Sequence, residues 1–392
     1  MHDLGPDLLG VLEGERAFIG PEQVVVDLTN RCNTNCIACW TYSPLLRDRA
    51  APTSWRRLEL PTPVAERLID DLALIGTRRV RFTGGGEPML HPRFHELVRR
   101  IKERGMTAEV TTNFIRPDVE RLLAAGVDEL SISLWAATPA AYTRTHPNQG
   151  PATFPQIERA LMRLAEAPGR PRLALLNVIN RINFHELEQM YDLAARVRAD
   201  KVYFTLVDVV EGRTEGLMLT PDERQSTLEA VRRIQARAAG PQGGPVLDAV
   251  GEFVGRLAGT GAESGFYDRG RVDELPCTIG WTFARVLANG DVVPCCRAVM
   301  LPQGNLNRSS FAEIWFSSVY DRFRKNAATL PKSDPVFQPV DCYRMCDNLM
   351  HNRLVADRLG ALGPAGLAAL RARLDEFRSG LDRRSPPEKE TP

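Results

Sequence analysis

Three cysteines, Cys32, Cys36 and Cys39, fall within the run Thr29-Asn30-Arg31-Cys32-Asn33-Thr34-Asn35-Cys36-Ile37-Ala38-Cys39-Trp40. Their C-x3-C-x2-C spacing constrains the chain more than any other feature. Three thiolates from one short loop can hold three corners of a cubane iron-sulfur cluster, whereas a closed cluster of that type needs four. The fourth iron is left open to bind and reduce a small molecule, so the spacing points to chemistry rather than electron storage. Residues 32, 36 and 39 would share one face of a helix, as core cysteines do, but Asn33, Thr34 and Asn35 favour turns and caps. Zinc would want a fourth ligand, and no His or Cys lies within the next fifty residues. A disulfide would leave an odd thiol.

On these residues the chain resembles the radical S-adenosylmethionine (SAM) superfamily, whose signature is this triplet. The resemblance implies that SAM chelates the open iron through its amino and carboxylate groups and is reductively cleaved to a 5'-deoxyadenosyl radical. The residue before the third cysteine is usually aromatic in that family and is Ala38 here; Trp40 is the candidate to cover the cluster in its place.

Charge is balanced, with 50 Lys plus Arg against 49 Asp plus Glu over 392 residues. That balance offers no electrostatic footprint for nucleic acid or an acidic membrane. No run of about eighteen apolar residues occurs, and the acidic start at Asp3, Asp7, Glu13 and Glu15 lacks a signal-peptide layout, so a cytoplasmic protein is expected. Eight cysteines in that compartment are not disulfides. They form two groups, the triplet and then Cys277, Cys295, Cys296, Cys342 and Cys346, which suggests two metal sites in two domains.

Between residues 23 and 240 short β-rich runs alternate with amphipathic segments. Strands are expected at 24–28, 79–83, 108–112, 130–134, 173–179 and 202–207. Helical spacing such as Val64, Leu68, Leu72 and Ile75, stopped by Gly76, lies between them. Six β-α units predict a parallel sheet with helices outside, curled into a full or partial TIM-type barrel. The resemblance implies the six-unit partial form, an α/β (β/α)6 barrel. The polar motifs support one mouth at the C-terminal strand ends, where such barrels place their sites. The cysteine loop follows strand one, Gly84-Gly85-Gly86-Glu87-Pro88 strand two, and Thr112-Asn113 strand three. Ser133 and Trp135 end strand four, Asn177 and Asn180 strand five, and Asp208 and Glu211 follow strand six. The expected division is an extension at 1–22, the barrel at 23–218, a helical linker region at 219–275 broken at 240–245, an auxiliary module at 276–360, and a helix with a compositionally disordered tail at 361–392.

The glycine run lets the backbone approach a ligand closely; in the resembled family a Gly-Gly-Glu element there meets the amino group of SAM, which makes Gly84, Gly85, Gly86 and Glu87 candidate contacts. Thr112, Asn113 and Ser133 resemble by position the family's ribose and carboxylate contacts, although capping is the usual work of such residues. Asn177 joins them as a cofactor candidate, and Trp135 reads equally as stacking surface or core.

Near the end, 283–288 and 291–294 flank Asn289-Gly290, a strong hairpin signal, which returns Cys295 toward Cys277. Cys342 and Cys346 follow a helix opened by the capping box Ser310-Phe311-Ala312-Glu313. This arrangement resembles the α+β SPASM and twitch auxiliary-cluster modules of radical SAM enzymes. The ligand set it implies for one auxiliary 4Fe-4S cluster is Cys277, Cys295, Cys342 and Cys346; four thiolates would suit structural zinc equally. Cys296 is left over, as an inert buried thiol or as a hydrogen-atom donor to a substrate radical. Phe311, Ile314, Trp315 and Phe323 read as core, His185 as solvated or capping, and Arg285 and Arg297 as surface residues or anion contacts.

The leading expectation is an oxidoreductase or epimerase that abstracts a hydrogen atom from a carbohydrate or other secondary metabolite, supplied with electrons by a flavodoxin- or ferredoxin-type reductant. A peptide-modifying maturase is the alternative, lowered because only about twenty residues precede strand one. A non-catalytic iron-sulfur or zinc protein is the third.

Overall fold

The structure is a computed structural model that describes residues 6–240 and 243–382. The tail expected to be disordered, 383–392, and part of the 240–245 break lie outside the described residues. Six strands, β1 (Gln23–Asp27), β2 (Arg79–Thr83), β3 (Thr107–Thr112), β4 (Glu129–Ser133), β5 (Arg172–Ile179) and β6 (Lys201–Leu206), each lie within one residue of the expected bounds. All pair in parallel in chain order, and helices such as Thr62–Leu74, Phe94–Glu103 and Thr153–Glu166 pack on their outer face.

Alternation along each strand sorts the side chains. Val80 and Phe82 join the helix-side core, as do Leu130 and Ile132, while residues of opposite parity face a polar lumen. In its floor Glu109 accepts from Gln23 Nε2 and Arg81 Nε, both at 2.8 Å, and from Arg79 at 3.3 Å.

The sheet departs from the sequence reading at both edges. A seventh strand, β7 (Val246–Asp248), pairs in parallel with β6 within the stretch read as a helical linker. The auxiliary hairpin, β8 (Phe283–Val286) and β9 (Asp291–Val293), continues the barrel's own sheet: β8 runs parallel to β1, and β10 (Gly304–Asn305) closes the far edge. The strand order is β10-β9-β8-β1-β2-β3-β4-β5-β6-β7, so among the described residues the sheet ends at β10 and β7 and does not close into a full barrel. Further along, Ser310 and Glu313 form the anticipated capping box, and Phe311, Ile314 and Trp315 are core. No described helix is long and apolar enough to cross a membrane.

Candidate functional site

The cysteine loop leaves β1 and is held as a turn from outside. Asn148 Oδ1 accepts the Asn35 N–H at 3.1 Å, Asn35 Oδ1 accepts the Asn148 N–H at 2.9 Å, and Gln149 Nε2 donates to the Asn33 carbonyl at 2.9 Å. The polar residues between Cys32 and Cys36 thus keep the segment out of a helix. Cys39 Sγ accepts from the Thr41 and Tyr42 N–H groups at 3.4 and 3.3 Å. Each thiol is partly accessible, and the three lie within Coulomb range of one another. Burial pushes Cys32 up to about 12 and raises Cys36 and Cys39 as well. Three desolvated thiolates are therefore tenable only beside a compensating cation, which is what a metal cluster supplies.

The glycine run serves a tighter purpose than ligand approach alone. A Cβ on Gly86 would lie 2.1 Å from the Arg31 carbonyl oxygen, and one on Gly85 would lie 2.1 Å from Asn30 Oδ1. The run is pressed against the backbone that enters the cysteine loop, and the Glu87 N–H donates to the Arg31 carbonyl at 2.8 Å. Because the obstacle at Gly86 is main chain, Gly86→Ala should cost about 1–3 kcal/mol by overpacking. It should also lower iron retention, both read by thermal melting and iron analysis of the purified variant.

Glu87 is buried and already occupied. Its carboxylate accepts from Thr112 Oγ1 at 2.8 Å, the Asn113 N–H at 2.8 Å and the Met89 N–H at 3.1 Å. Thr112 thereby acts within the frame, and its hydroxyl also accepts the Phe114 N–H at 2.9 Å. Asn113 reaches the loop itself: Nδ2 donates to Asn33 Oδ1 at 2.7 Å and lies 3.9 Å from Cys32 Sγ. Ser133 shares lumen parity with Ser131 and is partly exposed. Asn177 lies behind this wall, accepting the Trp135 N–H at 3.1 Å and so supporting Trp135 at a φ of 59°. Several buried polar atoms around the mouth lack protein partners: Asn30 Oδ1, Trp135 Nε1 and Asp208 Oδ1. Such unmet groups suit a polar cofactor.

Trp40 is placed differently from a lid over the triplet. It is 47% exposed, its Nε1 donates to the Asp208 carbonyl at 3.1 Å, and the Arg297 guanidinium lies 5.7 Å from its ring centroid. Arg297 also pairs with the Asp208 carboxylate and donates to the Val340 carbonyl at 3.2 Å. One junction therefore joins the cysteine loop, the end of β6 and both auxiliary cysteine segments. Arg285 is likewise committed, bidentate to Asp27 at 3.1 and 2.8 Å. Neither arginine is the exposed surface residue or free anion contact expected from sequence.

On the auxiliary side Cys277 and Cys295 lie in Coulomb range of each other and of both Cys342 and Cys346. The Cys346 N–H donates to Asp268 at 2.7 Å, and Asp268 is clamped by Arg256 at 3.1 and 2.8 Å. Cys296 lies among Arg285, Asp347, Asp27 and Arg81, on the lumen side, and burial pushes its thiol up to about 12. Among the described residues no three Cys, His, Asp or Glu side chains close around a single ion.

Two features escaped the sequence reading. Asp347, directly after Cys346, is exposed within Coulomb range of Arg256, Arg297 and Arg285; its place after a cysteine was the only signal. Behind the triplet, Trp135, Tyr142 and His146 form an aromatic group, with Tyr142 and His146 stacked at 4.2 Å. Helical i, i+4 spacing gives such a pair the look of ordinary core.

Residues 26–194 match the radical SAM superfamily, and residues 277–343 match SPASM, an iron-sulfur cluster-binding domain. The PqqA peptide cyclase of Streptomyces rochei is 29% identical over 315 residues, 76% of each chain. The AdoMet-dependent heme synthase of Methanosarcina barkeri is 27% identical over 313 residues, 78% of this chain and 84% of that one. Streptococcus suis SuiB bound to S-adenosylmethionine shares the fold, with a TM-score of 0.58 at 15% identity over 78% of this chain and 68% of that one. The cofactors are accordingly a SAM-binding 4Fe-4S cluster, SAM itself and auxiliary iron-sulfur ligation in the C-terminal module. The chain therefore carries a radical SAM domain over residues 26–194 and a SPASM iron-sulfur cluster-binding domain over residues 277–343.

Proposed function

We propose that this radical SAM enzyme modifies a peptide, reversing the order in which the sequence alone ranked its substrates. The observation that carries the reading is the likeness, over three quarters of each chain, to a protein named PqqA peptide cyclase. When bound, SAM and its cluster supply a 5'-deoxyadenosyl radical that removes a hydrogen atom from the substrate. In this reading Cys32, Cys36 and Cys39 hold the first cluster, and Cys277, Cys295, Cys342 and Cys346 hold the auxiliary one. Gly84 to Gly86, Asn113 and Ser133 line the SAM site, while Glu87, Thr112 and Asn177 fix its walls. Trp40 and Arg297 tie the two cysteine segments together through Asp208. Cys296 stays outside both ligand sets. A cytoplasmic flavodoxin or ferredoxin is the proposed reductant.

The likeness to a heme synthase favours a second reading, oxidation of a small molecule. Anaerobic protein given SAM, dithionite and a synthetic precursor peptide encoded beside its gene decides between them. Formation of 5'-deoxyadenosine together with loss of two hydrogen atoms from the peptide mass is expected. An unchanged peptide alongside turnover on a small molecule would transfer the assignment to the second reading.

A further inference from the structure

Behind each cysteine group stands a tyrosine whose hydroxyl has nothing to bond. Tyr142 is 1% exposed and Tyr320 fully buried, and among the described residues these are the two tyrosine hydroxyls buried without a hydrogen-bond partner. Other tyrosines are served: Tyr42 Oη donates to the Asn30 carbonyl at 2.6 Å, Tyr191 to the Pro245 carbonyl at 3.3 Å and Tyr343 to Asp273 at 3.1 Å. An unpaired buried hydroxyl costs about 1–3 kcal/mol, which phenylalanine would avoid. Its retention at two comparable places calls for an acceptor that the polypeptide does not provide.

Both tyrosines lie in electrostatic range of proposed ligands, on helices that bond to the cysteine segments. Tyr142 lies in Coulomb range of Cys36 and Cys32, and its helix Pro139–Thr145 meets the loop through the Ile37 N–H donating to the Thr145 carbonyl at 2.8 Å. Tyr320 lies in Coulomb range of Cys295, and its helix Ser318–Thr329 meets the second group through the Cys277 N–H donating to the Ala327 carbonyl at 3.2 Å. Neither ring is free to turn toward water. Tyr142 is stacked on His146 and tilted against Phe154 at 5.7 Å; Tyr320 stands edge-on to Trp315 at 4.7 Å with the Arg324 guanidinium 4.5 Å from its centroid.

We infer that Tyr142 and Tyr320 are hydrogen-bond donors to cluster sulfur, one for each centre, and that each raises the reduction potential of its own cluster. Donation to sulfur favours the more electron-rich reduced state, and hydrogen bonding to sulfur is a principal control on these potentials. The inference rests on the ligand assignment proposed above.

Tyr142→Phe and Tyr320→Phe keep ring packing and delete one oxygen each. Full-length protein is loaded anaerobically and titrated with dithionite under electron paramagnetic resonance, the first cluster being identified by its spectral change on adding SAM. Tyr142→Phe should lower the reduced-to-oxidised ratio of the first cluster about tenfold at fixed potential, equivalent to a midpoint about 59 mV more negative, with the auxiliary cluster unmoved. Tyr320→Phe should do the reverse. Unmoved midpoints in both variants, or equal shifts of both clusters in each, would overturn the inference. Cys36→Ala, titrated in parallel, separates the two failures. If its first-cluster signal disappears while Tyr142→Phe changes nothing, the ligand set stands and the donor role falls; if that signal survives, the ligand assignment itself has failed.

Discussion

Cys36→Ala is expected to abolish 5'-deoxyadenosine formation and to take the iron content from about eight to about four per chain, the loss of one cubane. The middle cysteine is the informative one to remove. It packs against the group of Ile37, Ala38, Trp135 and Val207, where alanine is a tolerable small neighbour, so the cluster-free variant should melt close to the parent. Its loss leaves two thiolates, too few to hold a cluster with one open iron. The auxiliary group lies on another part of the chain and keeps its iron. Anaerobic iron analysis, melting of the cluster-free protein and chromatographic assay of 5'-deoxyadenosine together check the result. Turnover comparable to the parent's would remove the triplet from the centre of the chemistry.

What the sequence disclosed was local. Strand bounds and the stop at Gly76 follow from alternation and turn chemistry within a few residues, and the Asn289-Gly290 turn follows from its own dipeptide. The triplet was legible because its three cysteines lie on eight consecutive residues, 32 to 39. Partnerships over long separations were not legible. Asp27 reads as the polar end of a strand until Arg285 arrives 258 residues later. The three-residue strand β7 has too little pattern to mark a strand, and only its place beside β6 orders it. Glu87 has the residue type of a ligand contact, yet the fold brings three donors to it that local reading cannot count. Tyr142 and Tyr320 carried no signal at all, since a buried tyrosine and a buried phenylalanine give the same hydrophobic pattern.

Arg285→Met should destabilise the protein by about 3–5 kcal/mol, the scale for stripping one partner from a buried ion pair. Asp27 and Arg285 side chains are 3% and 13% exposed, so water can do little for the carboxylate left behind. The pair also has a specific mechanical place. It joins β1 to β8 at the inner face, where the two strands meet in parallel with Val25 opposite Arg285, and Arg285 further donates to the Cys296 carbonyl at 3.1 Å. Loosening β8 therefore loosens the return strand that delivers Cys295, so the auxiliary iron should be lost before that of the triplet. Asp27→Asn combined with Arg285→Met removes the stranded charge and should recover more than half of the lost stability, because the main penalty is the unpaired carboxylate rather than the missing attraction. Thermal melts of the parent, both single variants and the double variant give the coupling energy, and iron analysis of the same four proteins reports on the second cluster. Equal melting of Arg285→Met and the parent would mean that the strand pairing of β8 with β1 holds the auxiliary module in place without this ion pair.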